Sequence, residues 1–409
     1  MDPGWFSLAE MPPIANGAVQ PYDYVPIPGT YWMHSHHDMQ EQSLIAAPLI
    51  VRTDAELRED RQEVVLMLHD FTFRTPEEVL AGLTSTSVAA AQLMAQKIEE
   101  APASKGGSKV PETTMMSMAP HGPRMAMPGM IMSRPGGMHM NPNDVSYDAF
   151  LANDRTLADP EIVHVERDGR IRLRVINGAS SSQFWIDLGE LLGRVVATDG
   201  HLVYPVAGSR FPIAMAQRLD ILIDLPRAGA FPILAQLEGE SRQTGIVLAT
   251  PGAPIPQIAD RVQAASPVDN SLKVRLATVE PLLPRPADIV QTISLSGSMT
   301  PYAWSMNGEY WPHVTPLVLS GGQRIEIDLI NHSMMAHPMH LHGHAFQVIA
   351  IDGRQINGAV RDTVLVMPMS RVRIAFDADN AGRWPFHCHN LYHMATGMMT
   401  ECRYRGIVT

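Results

Sequence analysis

The sequence predicts an all-β protein built of tandem β-sandwiches, the first of them incomplete, with one helix and one methionine-rich insert. Three observations point there. Short alternating or β-branched runs recur along the chain, such as Ile171-Arg172-Leu173-Arg174-Val175-Ile176, and a period of two marks half-buried strands. The 33 prolines and 30 glycines supply turns between such runs. The 409 residues are enough for two to four domains at roughly 100 to 200 residues each.

Composition narrows the function classes. With 45% hydrophobic and 18% charged residues, the chain lies far from the low-hydrophobicity, high-charge regime of disorder. A net charge of −11 argues against a broad phosphate-binding surface, so nucleic acid is not an expected partner. No run approaches the roughly 20 apolar residues of a membrane span, the best being Leu44 to Val51. The start, Met1-Asp2-Pro3-Gly4-Trp5, lacks the charged and apolar regions of a secretory signal, which is therefore expected to be removed or absent. Two cysteines, Cys388 and Cys402, cannot build a disulfide framework.

In chain order, residues 1–60 read as a partial first domain. Pro26 to His34 is a turn entering a strand and Ala46 to Arg52 a buried strand, too few to close a sandwich. Residues 61–255 read as a second sandwich. After a strand at Val64 to Leu68 comes a helix capped by Thr75, with Pro76 at its first position and Glu77 and Glu78 suiting the positive end of the dipole; it is expected to reach about Glu100. Residues 101–144 form a Gly-, Pro- and Ser-rich insert, expected to be mobile, with nine methionines and two histidines between Met115 and Met140. Strands follow at Ile171–Ile176, Leu219–Leu225 and Gly245–Ala249. Pro251 to Pro267 reads as a linker leading into the third sandwich, residues 256–409, with strands at Leu272–Ala277, Arg324–Ile330, Phe346–Ile351 and Arg371–Phe376.

Ten of the 17 histidines fall in three clusters. The first is His34-Ser35-His36, with His37 beside it; in a strand, positions i and i+2 face the same way and can grip one centre or an adjacent pair. The second, His337-Pro338-Met339-His340-Leu341-His342-Gly343-His344, has no good core explanation, because imidazoles buried together without metal pay for desolvated nitrogens and repel if charged. The third runs from His387-Cys388-His389 to His393 and Met398. A thiolate, an imidazole five residues on, a thioether ten residues on and an imidazole from another segment make the ligand set of a blue copper site.

The last two clusters, with Gly29-Thr30-Tyr31-Trp32-Met33-His34-Ser35-His36, resemble three of the four copper signatures of the multicopper oxidases, specifically the bacterial three-domain laccase-like and copper-resistance members. The resemblance covers essentially the whole chain. It implies cupredoxin-like Greek-key sandwiches, a mononuclear (type 1) copper that takes electrons from a reductant, and a trinuclear cluster that reduces O2 to water. It further implies up to about four copper ions as cofactor, a phenol, aromatic amine or Cu(I) as reductant, and a periplasmic or secreted parent protein. Carried onto this chain, His337, Cys388 and His393 would be equatorial ligands of the mononuclear copper and Met398 its axial ligand. His340 would bind the type 2 copper, and His34, His36, His342, His387 and His389 the type 3 pair. Cys388 with His387 and His389 would form the electron route between the sites.

The departures from the family pattern carry expectations of their own. No His-x-His signature precedes His34, and Asp2-Pro3-Gly4 resembles the acidic turn that follows it, so six of eight cluster histidines are present and an N-terminal truncation or misplaced start is inferred. The alternative function is a copper-binding or electron-transfer protein of copper tolerance with an incomplete cluster. Met394 stands where several relatives carry a proton-delivering glutamate, and Asp2 is the nearest candidate for the other cluster acid. His37 and His344 read as groups behind the ligands or at the surface, and His69, His164, His201, His313 and His332 as structural. Cys402 reads as a buried small hydrophobe. Thioethers favour Cu(I), so Met115, Met116, Met118, Met125, Met127, Met130, Met132, Met138 and Met140 are candidates for Cu(I) capture, with Met334 and Met335 as the inner end of the route.

Overall fold

The computed structural model describes residues 15, 17–19, 21, 25–85 and 142–406. Strands Gly29–His34 and Ala46–Val51 form an antiparallel hairpin sheet, with His34 opposite Ala46. The strands between 62 and 249 form a six-stranded and a five-stranded sheet, and those between 289 and 404 a seven-stranded and a five-stranded sheet. Their apolar faces make the core. Leu66, Leu68, Leu173, Val175, Ile221, Ile233 and Ile246 are fully buried in the middle block, and Ile293, Leu295, Ile327, Leu329, Ile374 and Phe386 in the last. Each such side chain contributes about 1.5–3 kcal/mol of burial.

Alternation correctly places a strand at Arg170–Asn177, but both of its faces are covered. Arg172 and Arg174, which period two would send to solvent, are buried, Arg174 against Thr30 of the Gly29–Val51 hairpin and Arg172 against Glu56 and Glu59 just after it. Arg174 donates to Glu63 at 2.7 Å, to Asp220 at 2.7 Å and to the Thr30 hydroxyl at 2.9 Å. Thr30 itself donates to Asp220 at 2.5 Å. Buried guanidinium groups are tolerable when paired and hydrogen-bonded in this way.

Several expectations need correction. Ala46–Val51 is a strand but only half-buried, since among the described residues it pairs with a single neighbour and no sheet covers its far side. Leu272–Ala277 is not a strand. It is a helical turn, with Leu276 N–H donating to Leu272 O at 3.1 Å and Val274 N–H to Asn270 O at 3.1 Å. Leu272 and Leu276 share a buried face at the i, i+4 spacing that alternation also permits, and the buried Lys273 amine donates to Leu365 O. The helix begins as expected at Thr75, which caps Glu78 N–H while the Glu78 carboxylate accepts from Thr75 N–H. It is helical over 76–85; its expected continuation to Glu100, and the insert as far as residue 141, lie outside the described residues.

That helix is not alone among the described residues. Asp54–Arg58, with a Thr53/Glu56 capping box, and Leu391–Ala395, capped by Asn390, are also α-helical. Five residues are too few to display a 3.6-residue period, so pattern reading passes over them.

Candidate metal centres

The mononuclear centre is assembled by strand register and one cap. Strand His337–Leu341 runs antiparallel to Arg383–Cys388, placing Met339 opposite Cys388 and His340 opposite His387. Asn390 ends that second strand and caps Leu391–Ala395, its side chain accepting from Tyr392 and His393 N–H. The first turn of this helix therefore carries His393 back toward Cys388. His337 Nδ1 and His393 Nδ1 lie 3.0 Å apart, and Cys388 Sγ is 3.7 Å from each. All three side chains are fully buried. Ser333 Oγ sits 2.8 Å from His337 Nε2, which turns Nδ1 inward. Met398 is also fully buried; its N–H donates to His393 O, and its carbonyl accepts from Cys388 N–H, both at 3.0 Å.

Burial holds His337 well below the usual imidazole range, with the neighbouring His393 adding to the effect, and pushes the Cys388 thiol up. Two imidazole nitrogens and a thiol converging in a dry core are costly by themselves. The three donor atoms are close enough together to be held by one ion. The donors fit copper, since two imidazoles and a thiolate make a soft trigonal set, with Met398 buried and bonded through its backbone to Cys388 and His393.

The second centre gathers six imidazoles from three segments. His387 and His389 flank Cys388 at i−1 and i+1, so they point away from it across the strand. His342 Nε2 is 3.0 Å from His387 Nε2, and donor atoms of His36, His342 and His387 lie within 4.8 Å of one another. Ring centroids of His34 are 4.6 Å from His36 and 5.1 Å from His389, and those of His340 and His342 are 4.6 Å apart. Burial, then neighbouring imidazoles, lower His34 and His36 to about 3 and put His342, His387 and His389 well below the ordinary value. Their lone pairs are thus available at neutral pH. The buried Nε2 of His389 has no hydrogen-bond partner among the described residues. Closely spaced imidazoles, one with an orphaned buried nitrogen, fit copper as well.

Three acidic groups behind these ligands went unread in the sequence. Glu41, in the turn Gln40–Ser43, is buried, with Oε2 3.2 Å from His34 Nδ1 and Oε1 3.7 Å from His389 Nδ1. Burial holds its carboxyl well above the usual range. It lines a small cavity with Met394, His34 and His389. Asp362 backs His340, whose Nδ1 is 3.0 Å from the Asp362 carbonyl and 2.9 Å from Thr363 Oγ1. Asp144 Oδ2 lies 2.7 Å from His393 Nε2, held by the Tyr302 hydroxyl at 2.8 Å and Asn390 at 3.3 Å. The Trp304 ring covers the other side of His393, its centroid 4.1 Å away.

Other candidates fall elsewhere. His37 is exposed beside Asp38, and His344 is buried against the Tyr404 hydroxyl at 2.7 Å. His69, His164, His201, His313 and His332 belong to neither group of donor atoms. Cys402 is fully buried, Met334 is exposed and Met335 buried. Asp2 and the nine methionines from Met115 to Met140 lie outside the described residues.

Residues 62–251 and 284–405 match two profiles, each described as multicopper oxidase. The multicopper oxidase MmcO of Mycobacterium tuberculosis is 31% identical over 384 residues, spanning 93% of this chain and 70% of that protein. This chain belongs to the multicopper oxidase family. Copper resistance protein A of Escherichia coli is 27% identical over 489 residues, covering 92% of this chain and 77% of its own. Among solved structures, Fet3p, a multicopper oxidase that functions in iron import, superposes with a TM-score of 0.69 at 18% identity, covering 93% of this chain and 72% of that one. A laccase from Botrytis aclada gives 0.64 at 17% identity, over 94% and 71%. The oxidase is therefore a copper-dependent oxidoreductase of cupredoxin-like fold that couples oxidation of a reductant to reduction of O2. No described helix is long and apolar enough to cross a membrane.

Proposed function

We propose that His337, Cys388, His393 and Met398 hold the mononuclear copper, that His340 holds the type 2 ion, and that His34, His36, His342, His387 and His389 hold the type 3 pair. On the same reading residues 1–60, 61–255 and 256–409 are its three domains, and the physiological reductant is Cu(I), oxidised in a periplasmic or secreted copper-tolerance role. Copper supplies the one-electron redox chemistry at both centres. The protein supplies the connection: Cys388 is covalently joined to His387 and His389, so one strand end spans both centres. It also keeps the path dry, since Trp304, Phe386, Met398 and Tyr392 are all buried around it.

The observation that carries the choice of Cu(I) is Asp144 against His393 Nε2. A buried carboxylate beside the electron-accepting imidazole lowers the potential there and favours a cationic reductant over a neutral phenol. The copper resistance protein A relatives agree with this reading.

Oxygen uptake driven by Cu(I) and by an uncharged phenol tests it. Asp144→Asn is expected to lower kcat/KM for Cu(I) roughly tenfold, about 1.4 kcal/mol, and to change that for the phenol by less than about threefold. Equal losses for both, or a wild-type enzyme that consumes oxygen with the phenol and not with Cu(I), would refute the assignment.

A further inference from the structure

His34 and His36 stand on a hairpin that, among the described residues, shares no sheet with the rest of the chain. Their partners His340, His342, His387 and His389 stand on the last block. A metal centre tolerates only about 0.5 Å of error in its ligands, so something must fix the hairpin against the last block. Arg218, on strand Arg218–Asp224 of the middle block and 2% exposed, touches all three. Its Nε donates to Thr30 O at 3.1 Å, on the strand that ends at His34. Its Nη1 donates to Ala216 O at 2.9 Å and to Asp362 Oδ1 at 2.7 Å, and Nη2 to Asp362 Oδ2 at 2.5 Å. The guanidinium also lies 5.5 Å from the centroid of the Tyr31 ring.

Asp362 passes the constraint on to the cluster. Its Oδ1 accepts from Thr363 Oγ1 at 2.9 Å and lies 3.5 Å from His340 Nδ1, while its carbonyl and Thr363 Oγ1 contact the same nitrogen. One planar fork thus joins the backbone under His34 to the group behind His340.

We infer that Arg218 is a positioning residue for the trinuclear centre, setting the separation between the His34/His36 strand and the His340 strand; the inference rests on the ligand assignments proposed above. Lysine keeps the charge but cannot present three fixed directions at once. Arg361 provides the control. It too is buried, pairing with Asp199 at 2.8 Å and Thr198 at 2.9 Å, but its hydrogen bonds reach neither the hairpin nor the Asp362 carboxylate.

The test compares Arg218→Lys with Arg361→Lys in the copper-loaded full chain, reading copper per chain, the visible band of the mononuclear site and the electron paramagnetic resonance of the type 2 ion. Arg218→Lys is expected to keep the visible band, lose type 2 signal and bound copper, and bind cluster copper roughly 10 to 100 times more weakly; Arg361→Lys keeps all three. Asp362→Asn should reproduce the Arg218→Lys spectrum, and the double variant should be little worse than either, because both act through one contact. Equal effects of the two lysine variants, or loss of the visible band along with the cluster in Arg218→Lys, would show general destabilisation and overturn the inference. A normal spectrum in Arg218→Lys overturns it alone, leaving the ligand assignments standing. A wild-type chain with no type 2 signal would sink the assignments themselves and this inference with them.

Discussion

Cys388→Ser is expected to erase the visible band and reductant-driven oxygen uptake together, while the cluster keeps its copper. Serine matches cysteine closely in size, so the fully buried site between Met339 and Met398 should stay packed. What disappears is the soft sulfur 3.7 Å from both His337 Nδ1 and His393 Nδ1, and a hydroxyl is a poor substitute for a thiolate at copper. His387, on the strand, and His389, just past its end, keep their places, so the second centre is not dismantled. The fall in oxygen uptake should exceed the roughly 10- to 100-fold cost of an altered group behind the ligands. Copper analysis and visible absorption on one sample decide the point. A blue, active Cys388→Ser protein would mean that the intense colour and the electron entry lie elsewhere.

Glu41→Gln is expected to strike the other centre. The carboxyl group lies 3.2 Å from His34 Nδ1 and 3.7 Å from His389 Nδ1, two proposed ligands from widely separated segments. A carboxylate behind a metal-bound imidazole fixes its tautomer and raises its basicity. Glutamine preserves the shape and replaces the acid that both imidazoles face with an amide. Cluster copper should bind roughly 10 to 100 times more weakly, with the visible band unchanged because the carboxyl group faces His34 and His389. Titration of the apoprotein with copper, followed by the type 2 resonance, gives the number directly. Unchanged cluster affinity would reduce Glu41 to a buried acid without influence on the metal.

The parts of the account that are local in sequence were readable there. His34/His36, His340/His342 and His387/His389 lie close together in the structure, the first of each pair at or next to a strand end and the second just past it, and one capped turn brings His393 to Cys388. The family profiles agree with the resemblance those motifs carry. What could not be read depends on contacts across the fold. Glu41 sits in the polar run Gln40-Glu41-Gln42, which looks like a surface turn until His34 and His389 close over it. Asp144 closes the insert and is a ligand neighbour only because Tyr302 and Asn390 hold it at His393. Arg172, Arg174 and Arg218 alternate like solvent-facing residues, and what buries them is distant in sequence: Glu56 and Glu59 over Arg172, Thr30 over Arg174, and Thr30 and Asp362 over Arg218. The Leu272–Leu276 turn shows the limit of periodicity itself: two buried leucines four apart satisfy both strand and helix.

The central claim is that this one chain forms a mononuclear blue site and, with six histidines from three segments, an oxygen-reducing cluster. The most direct measurement is copper per chain, taken with the visible spectrum and oxygen uptake after anaerobic Cu(I) loading and exposure to air. The account predicts about four coppers, an intense visible band and oxygen uptake that returns with each addition of reductant. About one copper with a visible band and no oxygen uptake would contradict it.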